Sequence, residues 1–256
     1  MLLKNKVALV TGASRGVGAA IAKAMAREGA SVVVNYFQSK DKAEQVVCEI
    51  TQSGGKAIAL GADVTSEEAV KAMVEAAVKT FGRLDIVVNN ALPKYVFNPS
   101  ANYVSIETVT WDNFETQFRG AVGGAVNVVR ASLPYMKAQG GGSVINISTN
   151  LVYNPVVTYY DYTAAKAAMV GLTRNLAAEL GKYGIRFNLI AGGLLSITDA
   201  SALTTKEVFD FVASITPLRK VTTVEDFAES ALFFASDWSR AITGQSISVD
   251  GGLTMP

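Results

Sequence analysis

The sequence predicts an α/β fold: one doubly wound parallel sheet with helices on both faces. Short β-branched apolar runs alternate with longer amphipathic segments along the whole chain, and glycines 29, 54, 55, 82, 140–142 and 184 fall where helices should end. Strands of a parallel sheet are covered on both faces, so they read as continuous apolar runs rather than as an apolar/polar alternation. The first such run, KVALV at 6–10, leads into an alanine-rich helix over 17–28. A strand over 31–35 and a helix over about 40–53 follow, then a strand at 57–60, a helix at 67–80 and a strand at 84–88. The second half repeats the alternation: a long helix over 111–138, a strand at 143–147, a helix at 162–180 and a strand at 186–190. A helix at 224–235 and a strand at 246–249 close the pattern. No Pro/Ser-rich linker, repeat or low-complexity tract interrupts it, so residues 1–256 are expected to form a single domain.

Composition narrows the chemistry. Half of the residues are hydrophobic and 18% are charged, enough to bury a large core, and the net charge is +1 with both signs interspersed. No basic stripe points to nucleic acid and no polybasic cluster to an anionic membrane. No apolar stretch approaches the ~18–20 residues of a membrane span, and the N-terminus lacks the long apolar core of a secretory signal, so a cytoplasmic location is expected. The chain has no histidine and one cysteine, Cys48. Histidine-based triads, HExxH zinc sites and cysteine-rich metal centres are therefore excluded, no metal is expected, and acid–base work falls to Tyr, Lys, Asp or Glu.

Two local patterns carry chemistry. Thr11-Gly12-Ala13-Ser14-Arg15-Gly16-Val17-Gly18 runs from the first strand into the first helix. Its glycines allow a tight turn and close backbone approach to a pyrophosphate, while the helix N-terminus offers free N–H groups and partial positive charge. The spacing is GxxxGxG, and the Gly-Lys-Ser/Thr of a P-loop is missing. The second pattern is Tyr162-Thr163-Ala164-Ala165-Lys166. A phenol has an ordinary pKa near ~10, and an ammonium one helical turn away favours the phenolate. Tyr159 and Tyr160 lie nearby without a lysine four residues on.

Together with Asn89-Asn90-Ala91, Thr243-Gly244-Gln245 and Val249-Asp250-Gly251-Gly252, these motifs resemble the short-chain dehydrogenase/reductase family, and within it the 3-oxoacyl-[acyl-carrier-protein] reductase-like branch. The resemblance implies a Rossmann-type sheet, with Gly12, Ser14, Arg15, Gly16, Val17, Gly18, Asp63, Val64, Asn90, Tyr162 and Lys166 around a nicotinamide dinucleotide. It also implies Tyr162 as proton donor or acceptor, Lys166 reaching the nicotinamide ribose, and a hydroxyl binding the substrate oxygen. Spacing puts Thr149 in that last place, with Ser148 as the alternative. After the second strand the chain reads Asn35-Tyr36-Phe37-Gln38-Ser39-Lys40, without the carboxylate that receives NAD ribose hydroxyls, while Arg15 suits a 2′-phosphate, so NADP(H) is expected over NAD(H).

The chain departs from the family where substrate should sit. The helix asparagine that holds a relay water is replaced: one count gives Ala121, another Phe118. Leu92 stands where a glycine usually follows Asn-Asn-Ala, Gly192-Gly193 replaces proline-glycine, and the stretch 92–111 is long, containing Tyr95, Phe97 and Tyr103. An apolar run at 208–215, within 194–217, reads as a lid helix or a packed surface helix. Small residues in the long helices (Gly120, Gly123, Gly124, Ala164, Ala165, Ala167, Ala168) resemble the family's dimer interface, and a homotetramer is expected, although internal packing also accounts for part of that pattern. The expected activity is reduction of a carbonyl to a secondary alcohol, on a small molecule or an acyl thioester, including one carried on acyl carrier protein. The alternatives are another ketone or secondary alcohol, or a catalytically silent nucleotide-binding protein.

Overall fold

The computed structural model describes residues 1–93, 95, 97, 105–196, 198 and 201–255; Tyr103 and parts of the 92–111 and 194–217 stretches lie outside them. Seven strands form one parallel sheet in the order β3-β2-β1-β4-β5-β6-β7, with β1 at Val7–Val10, β2 at Ser31–Tyr36, β3 at Lys56–Gly61 and β4 at Ile86–Asn89. The second half adds β5 at Gly142–Thr149, β6 at Ile185–Gly192 and β7 at Ser246–Val249, again paired in parallel. This is the doubly wound order expected from the alternation. β4 begins two residues later than the apolar run because Asp85 is used before it. The Asp85 carboxylate accepts from Val7 N at 2.9 Å and from Arg83 Nε at 2.7 Å, pinning the starts of β1 and β4 together.

Strand alternation shows why both faces need cover. Ala8 and Val10 of β1 point into one core with α1 (Gly16–Arg27), α2 (Lys40–Gln52) and α8 (Val224–Ala235). Val7 and Leu9 point into the other, with α3 (Glu67–Phe81), α5 (Gly124–Ala138) and α6 (Tyr160–Leu180). α3 illustrates the local logic: Ser66 accepts from Ala69 N, Glu67 and Glu68 occupy the first turn, and Gly82 ends the helix at φ +81°. That conformation strains any residue with a Cβ, so the glycine marks the stop.

The long helix expected over 111–138 is interrupted. α4 (Trp111–Phe118) passes through a π turn, Arg119–Gly123, before α5 begins. Two of its glycines pack within the chain: a Cβ on Gly120 would meet Pro93 Cγ at 2.3 Å, and one on Gly124 would meet Val64 Cγ2 at 2.7 Å. The 208–215 run lies in α7, Lys206–Ile215, which has no fully buried residue. Among the described residues no helix is long and apolar enough to cross a membrane.

Candidate active site

The sheet order reverses between β1 and β4, and their carboxyl ends open a crevice of the kind that receives nucleotides in such folds. The glycine turn sits there. Gly12 and Gly16 adopt φ +61° and +55°, and a Cβ on Gly18 would lie 2.5 Å from the Gly12 carbonyl oxygen. Only glycine fits at 12 and 18. Above Gly16 a Cβ would meet nothing within 4 Å, which leaves room for a ligand against the backbone. α1 starts at Gly16 without a side-chain cap and without an acidic residue in its first turn, so its N–H groups face the crevice unneutralised. The cradle fits a pyrophosphate.

Asn90 explains how the turn is held. Its Nδ2 donates to Thr11 O at 2.8 Å and to Gly12 O at 3.1 Å, while Thr11 Oγ1 accepts from Asn90 N and Ala91 N. β1 and β4 are thereby fastened at the point where they diverge. Asn35 does the same on the other side: its Oδ1 accepts from Gly12 N and its Nδ2 donates to Ala62 O. The Asn35 side chain is thus consumed by backbone. Asp63 Oδ1 accepts from Thr65 N and Thr65 Oγ1, forming a compact turn, and Asn127 Nδ2 donates to Val64 O at 3.0 Å. Asn127 was not singled out from sequence, because its partner lies 63 residues away. Ser14 and Arg15 line a surface groove together with Lys23 and Lys42.

At the other end of the crevice, β5 delivers Thr149 and α6 delivers Tyr162 and Lys166. Lys166, only 4% exposed, donates from Nζ to Ile147 O at 2.8 Å and lies 5.9 Å from the centroid of the Tyr162 ring. The two serine/threonine candidates separate cleanly. Ser148 Oγ donates to the Lys166 carbonyl oxygen at 3.0 Å and so secures α6 to the sheet. Thr149 Oγ1 instead accepts from Leu151 N at 3.3 Å, so its own hydroxyl proton is not spent on that contact. Burial pushes the Tyr162 phenol up to about 12, against the lowering effect of the nearby Thr149 hydroxyl. Burial pulls the Lys166 ammonium down to about 8. At neutral pH the pair is therefore a protonated phenol beside a largely protonated amine, the state suited to giving a proton.

Ala121, not Phe118, shares a cavity with Lys166. It lines a cavity of about 10 Å³ with Thr11, Asn89, Gly120, Lys166 and Met169, whereas Phe118 is exposed. That is room for about one water. Asn89 Nδ2 donates to Asn146 Oδ1 at 2.8 Å, and its own Oδ1 is buried with no partner among the described residues. A polar cavity therefore reaches the ammonium although no relay asparagine is present.

Two supports were not assigned roles from sequence. Asp250, in the Val-Asp-Gly-Gly motif, accepts from Asn150 Nδ2 at 2.9 Å and from Gly252 N, Thr254 N and Thr254 Oγ1. It braces the turn that follows Thr149. Gly193 is required for the same contact, because a Cβ there would lie 2.8 Å from Asp250 Cβ. Tyr95 and Phe97, flagged in the long stretch, pack onto Tyr162 with ring centroids 5.4 and 5.0 Å away.

Comparison with known proteins identifies the family. The family model described as enoyl-(acyl carrier protein) reductase matches residues 12–254. The chain is 39% identical to an uncharacterized oxidoreductase of Methylorubrum extorquens over 98% of each chain. It is 38% identical to a 3-oxoacyl-[acyl-carrier-protein] reductase of Staphylococcus aureus, covering 98% of this chain and 99% of that one. Among solved structures, 7α-hydroxysteroid dehydrogenase complexed with NADH and 7-oxo glycochenodeoxycholic acid superposes with TM-score 0.88 at 34% identity, over 98% of this chain and 94% of that one. The chain belongs to the short-chain dehydrogenase/reductase family of NAD(P)(H)-binding oxidoreductases.

Proposed function

We propose that this protein reduces a carbonyl to a secondary alcohol with NADPH, using Tyr162 as proton donor. The observation that carries the reading is the Thr149–Tyr162–Lys166 cluster beside the glycine crevice. A bound NADPH supplies hydride to the carbonyl carbon. Thr149 and Tyr162 hold the carbonyl oxygen by hydrogen bonds, and Tyr162 transfers its proton to that oxygen as negative charge develops. The Lys166 ammonium stabilises the phenolate left behind, and a water in the cavity lined by Ala121 and Asn89 carries the replacement proton.

NADPH is favoured because no carboxylate stands at the end of β2, Asn35 is occupied by backbone, and Arg15 and Lys42 line one groove beside the turn. Gly12, Ser14, Gly16, Val17 and Gly18 take the pyrophosphate, Asp63 and Val64 the adenine, and Asn90 fixes the turn. Kinship with 3-oxoacyl-[acyl-carrier-protein] reductases suggests an acyl-thioester substrate, including one on acyl carrier protein. A second substrate reading, a ring-bearing ketone, is favoured by the rings of Tyr95 and Phe97 against Tyr162. We also propose one cytoplasmic catalytic domain assembled as a homotetramer, which light scattering tests directly. The activity is tested by following NADPH oxidation with 3-oxoacyl thioesters and with simple and cyclic ketones. Tight NADPH binding without turnover of any of them refutes it.

A further inference from the structure

Tyr162 is partly covered by aromatic rings. Tyr95 and Phe97 pack on its ring, Tyr95 tilted by 32° at 5.4 Å and Phe97 edge-on at 5.0 Å. Tyr95 also meets Phe97 at 4.8 Å and Tyr159 at 5.7 Å, so the four rings form one cluster. One polar contact ties the cluster to the helix that carries the catalytic tyrosine. Tyr95 Oη donates to Asp161 Oδ1 at 3.0 Å, and Asp161 is buried at the start of α6, immediately before Tyr162. Burial, and then the Asp161 carboxylate, push the Tyr95 phenol above its ordinary range, so the donor stays protonated. The contact thus ties Tyr95 to the first turn of α6, one residue before Tyr162.

We propose that Tyr95 and Phe97 are specificity-determining residues, held over Tyr162 by the Tyr95–Asp161 hydrogen bond, and that they select a flat ring ketone over a straight-chain one. The inference rests on the carbonyl-reductase reading above. A carbonyl that reaches the Tyr162 hydroxyl must lie beside these rings. A ring ketone makes ring-to-ring contacts there that a flexible acyl chain cannot match, each favouring it by about 2- to 12-fold. Tyr95 and Phe97 act on binding geometry, and Asp161 is a positioning residue that acts through Tyr95.

The test compares kcat/KM for β-tetralone, a bicyclic ketone, with kcat/KM for acetoacetyl-N-acetylcysteamine, a straight-chain 3-oxoacyl thioester, at saturating NADPH. The double variant Tyr95→Leu/Phe97→Leu is expected to lower the ring-to-chain ratio by about fivefold or more. Tyr95→Phe, which keeps the ring and removes only the hydroxyl, and Asp161→Leu are each expected to lower the ratio by about threefold. Asp161→Asn keeps an acceptor oxygen and should preserve the ratio, a rescue that a purely structural role for Asp161 does not predict. If wild type turns over both ketones and the ratio stays within about twofold in every variant, the selection is overturned while the carbonyl-reductase reading stands. If wild type binds NADPH but turns over neither, both are overturned.

Discussion

Replacing Tyr162 by Phe deletes one oxygen from the proposed proton donor and leaves everything else about the side chain in place. The ring keeps its contacts with Tyr95 at 5.4 Å and Phe97 at 5.0 Å, and Lys166 keeps its bond to Ile147 O at 2.8 Å. The structural loss is confined to the contacts of one hydroxyl, at most a single hydrogen bond worth about 0.5–1.5 kcal/mol net. For a chain of this size that corresponds to a shift of at most a few degrees in Tm, on the order of 2–4 °C per kcal/mol. The chemical loss is far larger. A positioned general acid contributes about 100- to 10,000-fold, or roughly 3–5 kcal/mol of barrier. The glycine turn, by contrast, is untouched, so the NADPH Kd should stay within about threefold. The assay pairs steady-state NADPH oxidation with cofactor titration by fluorescence and a thermal melt. Turnover within about tenfold of wild type, with binding and Tm preserved, refutes the phenol as proton donor.

Lys166 gives a pH test of the fold. Its folded pKa is about 8 against 10.5 in the unfolded chain, so between those values the unfolded state binds more protons and Lys166 contributes stability that grows as pH rises. Relative to Lys166→Met, wild type should gain about 2 kcal/mol from about pH 7 to about pH 10 in urea unfolding; a flat difference contradicts the burial-driven shift. Arg15→Ala should raise the NADPH KM by about 10- to 100-fold while moving the NADH KM by less than about threefold, and equal effects on both would remove Arg15 from phosphate recognition. Asp250→Ala should cost about 2–4 kcal/mol in chemical denaturation, because it strands Asn150 Nδ2 and two backbone donors at a buried site. A loss below about 1 kcal/mol would show that the turn after Thr149 does not depend on this brace.

The alternation of apolar runs and amphipathic segments determined the element order and the doubly wound sheet, because period and length are properties of contiguous residues. The glycine turn and the Tyr162–Lys166 pair were legible for the same reason: each lies within eight residues, where helix and turn geometry fix the spatial relation. What joins distant segments was decided only by the tertiary structure. Ser148 and Thr149 are neighbours with similar hydroxyls, yet the first is spent on the Lys166 carbonyl of α6 while the second accepts from Leu151 N in the turn that follows β5. Two counts for the missing asparagine could not be ranked until the π turn at Arg119–Gly123 placed Ala121 against Lys166. The glycines of that helix fit both an intersubunit seam and internal packing, and the structure shows Gly120 and Gly124 closing on Pro93 and Val64 of the same chain. Asp161 could not be linked to Tyr95, 66 residues earlier, because a side-chain hydrogen bond leaves no periodic trace in the sequence. Local backbone preference writes itself into neighbouring letters; packing between elements depends on shape and distance in three dimensions, which those letters encode only collectively.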